Sequence, residues 1–265
     1  RAKNQMEVIG WDDLSLTLDE SVGIAQLESG KRLSSEDASH LHKKAGGWAA
    51  GLILMAKGTG IADEPHADGA LRPEETFDFF ATELLDKADE PVRDFLLRTA
   101  VLPRMRPSMA EKLTKNKNAG AILAGLNRRN YFTEKRDDSG PTYQYHPLFR
   151  QFLQSRAGES FTPAEHAGFQ VLAAELLERD GSIEDAAELY QAAGDSEGLA
   201  RMIVRHAPSL IGQGRYRTLD QWITSALSDA RVENAWLLFW RGECSQPTDP
   251  PRARKNFERA LELFG

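Results

Sequence analysis

Tyr143-Gln-Tyr-His146-Pro-Leu-Phe-Arg-Gln-Phe-Leu153 is the stretch whose reading decides the fold. It begins as an alternating, strand-compatible segment and passes into a helical pattern at Pro147, a residue suited to the first helical turn. Upstream, Asp137-Asp-Ser-Gly140 is a turn signal, and Tyr131-Phe-Thr-Glu-Lys-Arg136 on its far side is a second strand-compatible run. The two runs and the turn predict a β-hairpin. His146 falls where the strand hands over to the helix. Unpaired N–H groups and the helix dipole favour negative charge there, so an imidazole at that point is well placed to face a buried anion. The alternative is a core histidine that satisfies a backbone group.

Three helical segments precede the hairpin. The first follows Asp89-Glu-Pro91 with Val92, Phe95 and Leu96 on one face; the others are Ser108–Leu113 and Ala119–Arg129. Three helices followed by a hairpin is the order of a winged helix, with His146–Arg156 as a trailing helix. Further upstream, residues 5–9 are β-compatible. Thr17-Leu-Asp-Glu20 is a capping box that opens a helix over 18–29. A second helix starts at Ser34-Ser-Glu-Asp, a dense apolar helix runs from Trp48 to Lys57, a loop occupies 58–73, and helix resumes over Glu74–Lys87.

Beyond residue 160 only helices are predicted, and they come in pairs. Ala164–Asp180 pairs with Ser182–Ala193 around Gly181, and Ser196–Gln213 with Tyr216–Ala226 around Gly214. Glu233–Glu243 and Pro251–Phe264 form a third pair. Helix pairs at this spacing predict a tetratricopeptide-like (TPR-like) solenoid. The fold class expected is therefore mainly α: N-terminal helices, a winged helix with a small β-hairpin, then helical hairpins of a TPR-like solenoid.

Composition narrows the function. Hydrophobic residues make up 41% and charged residues 28% of the 265, so a folded chain rather than a disordered one is expected. The net charge of −7 argues against a dedicated nucleic-acid binder. One cysteine, Cys244, allows neither an internal disulfide nor a cysteine metal site, which fits a reducing, cytoplasmic setting. No run has the apolar length of a membrane span, and no membrane partner is expected. The chain has no initiator Met and stops in a helical pattern, so a piece of a longer polypeptide is expected.

The motifs of self-contained catalysis are missing. There is no Gly-x-x-x-x-Gly-Lys-Ser/Thr phosphate loop, no His-Glu-x-x-His and no Gly-x-Ser-x-Gly. His40 and His42 lie two apart on a predicted helix and face different directions, so they do not share a metal. No catalytic residue and no metal site is assigned. Arg128, Arg129 and Lys135, near the end of the third helix and on the hairpin, are candidate phosphate contacts for DNA. Cations that complement a helix C-terminus are the alternative there.

Several ordered stretches carry a resemblance: Gly10-Trp-Asp-Asp-Leu…Thr17, Gly46-Gly-Trp-Ala-Ala-Gly-Leu52, Phe95-Leu-Leu-Arg-Thr-Ala-Val-Leu102, Tyr145-His-Pro-Leu-Phe-Arg-Gln-Phe-Leu153 and then Ala192-Ala-Gly-Asp195. The chain resembles the large ATP-dependent LuxR-type transcriptional activators, the family of the maltose-regulon activator. That family belongs to the signal-transduction ATPases with numerous domains. The resemblance implies the last strand of an ATPase core over 1–17, a helical lid over 18–90, a winged helix over 91–157, and a helical arm or the start of a sensor over 158–265. It implies that Gly47, Trp48 and Ala49 pack on an adenine, although relatives often carry Pro at the position of Ala49. It further implies that His146 touches the β-phosphate of ADP in a resting state.

ADP or ATP is then expected in the parent protein. Tight binding to this chain alone is not expected, because the phosphate loop would lie upstream. Implied partners are the rest of the parent chain, an inducer or regulatory protein at the arm or sensor, and other copies in the activated state. Two readings compete. One is a solenoid that holds a partner protein, with Trp222, Trp236, Phe239 and Trp240 along its face; their alternative role is core packing. The other is a winged-helix DNA binder that uses Arg128 and Arg129.

Overall fold

The computed structural model describes residues 16–29, 35–45, 49, 52–53, 81–129, 131–136, 140–229 and 232–265. Helices dominate them, and the one small sheet is the two-stranded hairpin, as expected for a mainly α chain. The described elements are α1 (Leu18–Ser29), α2 (Ser35–Ala45), α3 (Glu90–Thr99), α4 (Pro107–Thr114), α5 (Ala119–Arg128), β1 (Thr133–Arg136), β2 (Thr142–Tyr145) and α6 (Pro147–Ser160). Six more follow: α7 (Pro163–Arg179), α8 (Ile183–Ala193), α9 (Ser196–Gly212), α10 (Tyr216–Ala226), α11 (Ala235–Ser245) and α12 (Pro250–Phe264). Residues 81–87 and the described positions among 49–53 are also helical. The strand expected over 5–9, the loop over 58–73 and most of the helix from Trp48 lie outside the described residues.

The chain divides into two compact units. The first takes the residues up to Asp94 with 122–134 and 146–152; the second takes 95–121, 135–145 and 153–265.

In the first unit, α1 packs against α2. Its start is the predicted capping box. The Thr17 N–H and hydroxyl both donate to Glu20 Oε2 at 2.9 Å, and the Glu20 N–H donates back to Thr17 Oγ1 at 3.3 Å. These bonds hold the Glu20 carboxyl below its ordinary range. Ser21, buried one turn in, shares a hydrogen bond of 2.8 Å with His42 Nδ1 on α2, while His40 is exposed. The two histidines thus point apart, as their spacing requires. Arg93 closes the helical run 81–87: its Nε and Nη2 donate to the carbonyls of Leu85 and Asp86 at 3.0 and 2.8 Å. Cations at a helix C-terminus satisfy carbonyls that the helix leaves open.

In the second unit the helix pairs follow the predicted order. α7 packs on α8, α9 on α10 and α11 on α12, and neighbouring pairs touch through α8–α9 and α10–α11. Gly181 (φ +85°) and Gly214 (φ +73°) make the turns inside the first two pairs, a left-handed backbone that costs other residues energy. Each pair is sealed by small residues. Ala173, Ala174, Ala186, Ala187, Ala200 and Ala207 are all buried, so the helix backbones approach closely. Gly242 belongs to the same scheme, because a Cβ there would lie 2.7 and 2.8 Å from Phe257 Cδ1 and Cζ. The starts are capped by side chains. Thr162 and Glu165 form a second capping box, Asp195 accepts from Gly198 N–H at 2.8 Å, and Asp249 accepts from Arg252 N–H at 3.1 Å.

β1 is shorter than the predicted run 131–136. Tyr131 N–H donates to the Leu126 carbonyl at 2.9 Å, and Asn127 Nδ2 donates to the Thr133 carbonyl at 2.9 Å. Those bonds make Tyr131–Phe132 a turn off the end of α5, and pairing starts only at Thr133.

Candidate functional site

The site is built on the junction between β2 and α6. The His146 N–H donates to the Phe132 carbonyl at 2.7 Å, and the His146 carbonyl accepts from Arg150 N–H at 2.9 Å as the first bond of the helix. His146 is therefore the residue that caps α6, followed by Pro147, whose missing N–H costs nothing at that position. Phe132 has φ +46°, a left-handed backbone unusual for a bulky residue. Its ring lies 5.1 Å from that of Phe149, which is wholly buried. The strained turn, the Phe132–Phe149 contact and the backbone bond together fix the His146 main chain. Its side chain, together with Pro147 and Leu148, is exposed. The imidazole is therefore exposed at a helix start rather than buried in the core.

The second unit holds β2 by other means. The Tyr145 hydroxyl lies 2.8 Å from Thr99 Oγ1, which itself donates to the Phe95 carbonyl at 2.7 Å, so Tyr145 is the donor to Thr99. Burial pushes the Tyr145 phenol above its ordinary range. Tyr143 and Met105 exchange two backbone bonds of 2.8 Å, an isolated bridge that adds a third extended piece beside the hairpin. Sequence reading missed it, because a single bridged residue has no periodicity to detect. Arg98 stacks over Phe169 at 4.8 Å and Phe161 at 5.6 Å, a cation–π contact that joins α3 to α7.

The other expected site residues are distributed as follows. Gly47 and Trp48 lie outside the described residues; Ala49 is helical and half-buried, with Leu52 fully buried after it. Arg128 and Arg129, at the end of α5, and Lys135, on β1, are exposed. Trp222 is core, whereas Trp236 is 48% exposed, and Trp240 is half-buried with its ring 5.0 Å from Phe239. The described residues contain no group of three or more metal-ligating side chains and no helix long and apolar enough to cross a membrane.

Cys244 is buried in α11. Burial, with Asp220 and Glu243 nearby, pushes its thiol up to about 12. The thiolate is the reactive form, so the native thiol is expected to resist Ellman's reagent at pH 8 and to react fully only in denaturant. The ordinary value is 9.0 and the folded value is higher. Its stabilising contribution is therefore complete below pH 9 and lost as pH rises towards 12. An unfolding midpoint that falls across that window, and falls less in Cys244→Ala, is the expected result.

The fold and junction define a winged helix followed by paired helices. Residues 81–165 match the family described as the MalT winged helix domain. The chain is also similar to the "HTH-type transcriptional regulator MalT" of two Klebsiella pneumoniae strains, at 26% identity over 250 residues in each case, covering 90% of this chain. The chain is thus similar to the MalT regulators over most of its own length, and its residues 81–165 to their winged helix. It spans about 28% of the length of these curated relatives.

Proposed function

We propose that this chain is the regulatory segment of a nucleotide-switched, LuxR-type transcriptional regulator. Residues 18–90 serve as lid, 91–157 as winged helix and 158–265 as arm. In the resting state ADP bridges the ATPase core of the parent protein, the lid through Gly47, Trp48 and Ala49, and the winged helix through His146. An inducer or regulatory protein at the arm or sensor favours opening, exchange for ATP and self-association. A hydrogen bond made to ADP and lost with ATP is the differential contact such a switch needs. The carrying observation is the exposed His146 at the start of α6 within the segment that matches the MalT winged helix.

The first test is the intact mass of the native polypeptide. A mass several-fold above 29.5 kDa is expected, and one near 29.5 kDa would remove the ATPase core and overturn the reading. In the native protein, His146→Ala is expected to speed ADP release roughly tenfold, the effect of one hydrogen bond to a charged group. Unchanged release, measured with a fluorescent ADP analogue, would remove His146 from the switch.

The partner-binding reading has one observation in its favour. Trp236, Leu261 and Phe264 on α11 and α12 are exposed, and the Trp236 and Phe264 rings meet at 5.1 Å. The DNA-binding reading rests only on the exposed Arg128, Arg129 and Lys135. DNA binding that weakens with salt and is lost on charge reversal of Arg128 and Arg129 would favour it.

A further inference from the structure

A pocket of about 130 Å³ opens within the second unit where three of the paired helices meet. α7 contributes Glu175, Glu178 and Arg179, α8 contributes Tyr190, and α9 contributes Arg201 and Arg205. Sites for whole small molecules begin at roughly 300 Å³, so this volume suits one functional group and not a cofactor.

Tyr190 is only 2% exposed, yet its hydroxyl makes no hydrogen bond with any described residue. The oxygen is not sealed in the core, and the pocket reaches it. Buried phenol hydroxyls ordinarily find a partner, so this one is an open donor aimed at the pocket. Burial first, then the charges of Glu178 and Glu175, push the phenol up to about 12, with Arg201 acting the other way. The hydroxyl therefore keeps its proton at neutral pH.

The charges around Tyr190 are unevenly matched. Arg205 Nη1 and His206 Nε2 both meet Glu178 Oε1, at 2.9 and 3.0 Å, and Arg179 Nη2 stands 3.7 Å from Glu175 Oε2. Arg201 is exposed and makes no hydrogen bond or ion pair with a described residue. Three guanidinium groups thus line the pocket against two carboxylates, a surplus of one positive charge. One monoanion brings the lining to neutrality. A dianion would place excess negative charge beside Glu175 and Glu178, and a cation would double the surplus.

We propose that this pocket binds a single carboxylate group, the chemistry shared by a small organic acid and the carboxyl terminus of a peptide. The planar fork of Arg201 matches the two carboxylate oxygens, and the Tyr190 hydroxyl donates to one of them. The site needs no nucleotide, so its failure would leave the proposed switch untouched.

NMR titration of the intact chain at constant ionic strength tests the proposal. The probes are acetate and, separately, an N-acetylated alanine tripeptide with a free carboxyl terminus. Saturable shifts of the Gly198 and Arg201 amides are expected with at least one acid, and none with methylammonium or the amidated tripeptide. The dissociation constant should rise about tenfold or more in Arg201→Gln and in Tyr190→Phe. It should stay unchanged in Arg254→Gln, whose guanidinium pairs with Glu258 on α12. Arg201 is exposed, so Arg201→Gln, checked for an unaltered circular dichroism spectrum, carries the test if Tyr190→Phe misfolds. Tighter binding of the tripeptide assigns a peptide terminus; acetate binding at least as tightly assigns an organic acid. No saturation with either acid, saturation by methylammonium instead, or equal affinity in Arg201→Gln overturns the proposal.

Discussion

Phe149→Ala is expected to destabilise the first unit by about 3–5 kcal/mol, the range for removing a fully buried phenylalanine. The ring is wholly inaccessible, lies 5.1 Å from Phe132 and stacks within 6.5 Å of Phe152. Three effects add. Apolar area returns to water on unfolding no longer, a cavity opens, and the aromatic contact that holds the left-handed Phe132 in place is lost. The last bears on the role proposed for His146, because the Phe132 carbonyl anchors the His146 main chain. Phe149→Leu keeps most of the volume and should cost about 1.5 kcal/mol or less. Urea unfolding followed by circular dichroism measures both. A loss below about 1 kcal/mol for Phe149→Ala would show that the junction is not held by this ring.

Gly198→Ala is expected to cost about 2–3 kcal/mol, although glycine is a poor helix former. Alanine gains about 1 kcal/mol of helix propensity at an interior position. Against that gain, a Cβ at Gly198 would overlap the Asp195 carboxylate and approach Tyr190 Cε1 and Cδ1 to 2.6 and 2.7 Å. Tyr190 is only 2% exposed and cannot swing away, so overpacking costs about 1–3 kcal/mol. Displacing Asp195 also breaks the cap on α9, a further loss of about 0.5–2 kcal/mol. The steric and capping terms outweigh propensity, so the sign is a loss. Differential scanning calorimetry should show a lower midpoint. A raised midpoint would mean that α8 and α9 can separate freely, contrary to the packing described.

Helix existence was the most legible feature. The Thr17–Glu20 capping box, the Pro at the start of α6 and the glycines at 181 and 214 are local signals, and each acts through bonds or torsions within a few residues. Ends were less legible. β1 lost Tyr131 and Phe132 because the bond from the Tyr131 N–H to the Leu126 carbonyl and that from Asn127 Nδ2 to the Thr133 carbonyl, outside any strand pattern, decide where pairing begins. α6 runs to Ser160, four residues past the predicted end at Arg156, since no stop signal separates them. At the candidate site, the position of His146 at a strand-to-helix junction could be read from Tyr145-His-Pro; its exposure could not.

Sequence by itself determined the mainly α class, the hairpin between helices, the pairing rhythm beyond residue 160 and the similarity of the motifs to a known family. The first three rest on periodicity, caps and turns, which are properties of neighbours along the chain, and the fourth on the resemblance of ordered motifs. Tertiary structure alone decided that Tyr145 is buried against Thr99 while the adjacent His146 faces solvent, that Met105 bridges Tyr143, and that Glu175, Tyr190 and Arg201 share one pocket. Those facts depend on which distant side chains meet. Contacts between segments tens of residues apart leave no period in the sequence to read.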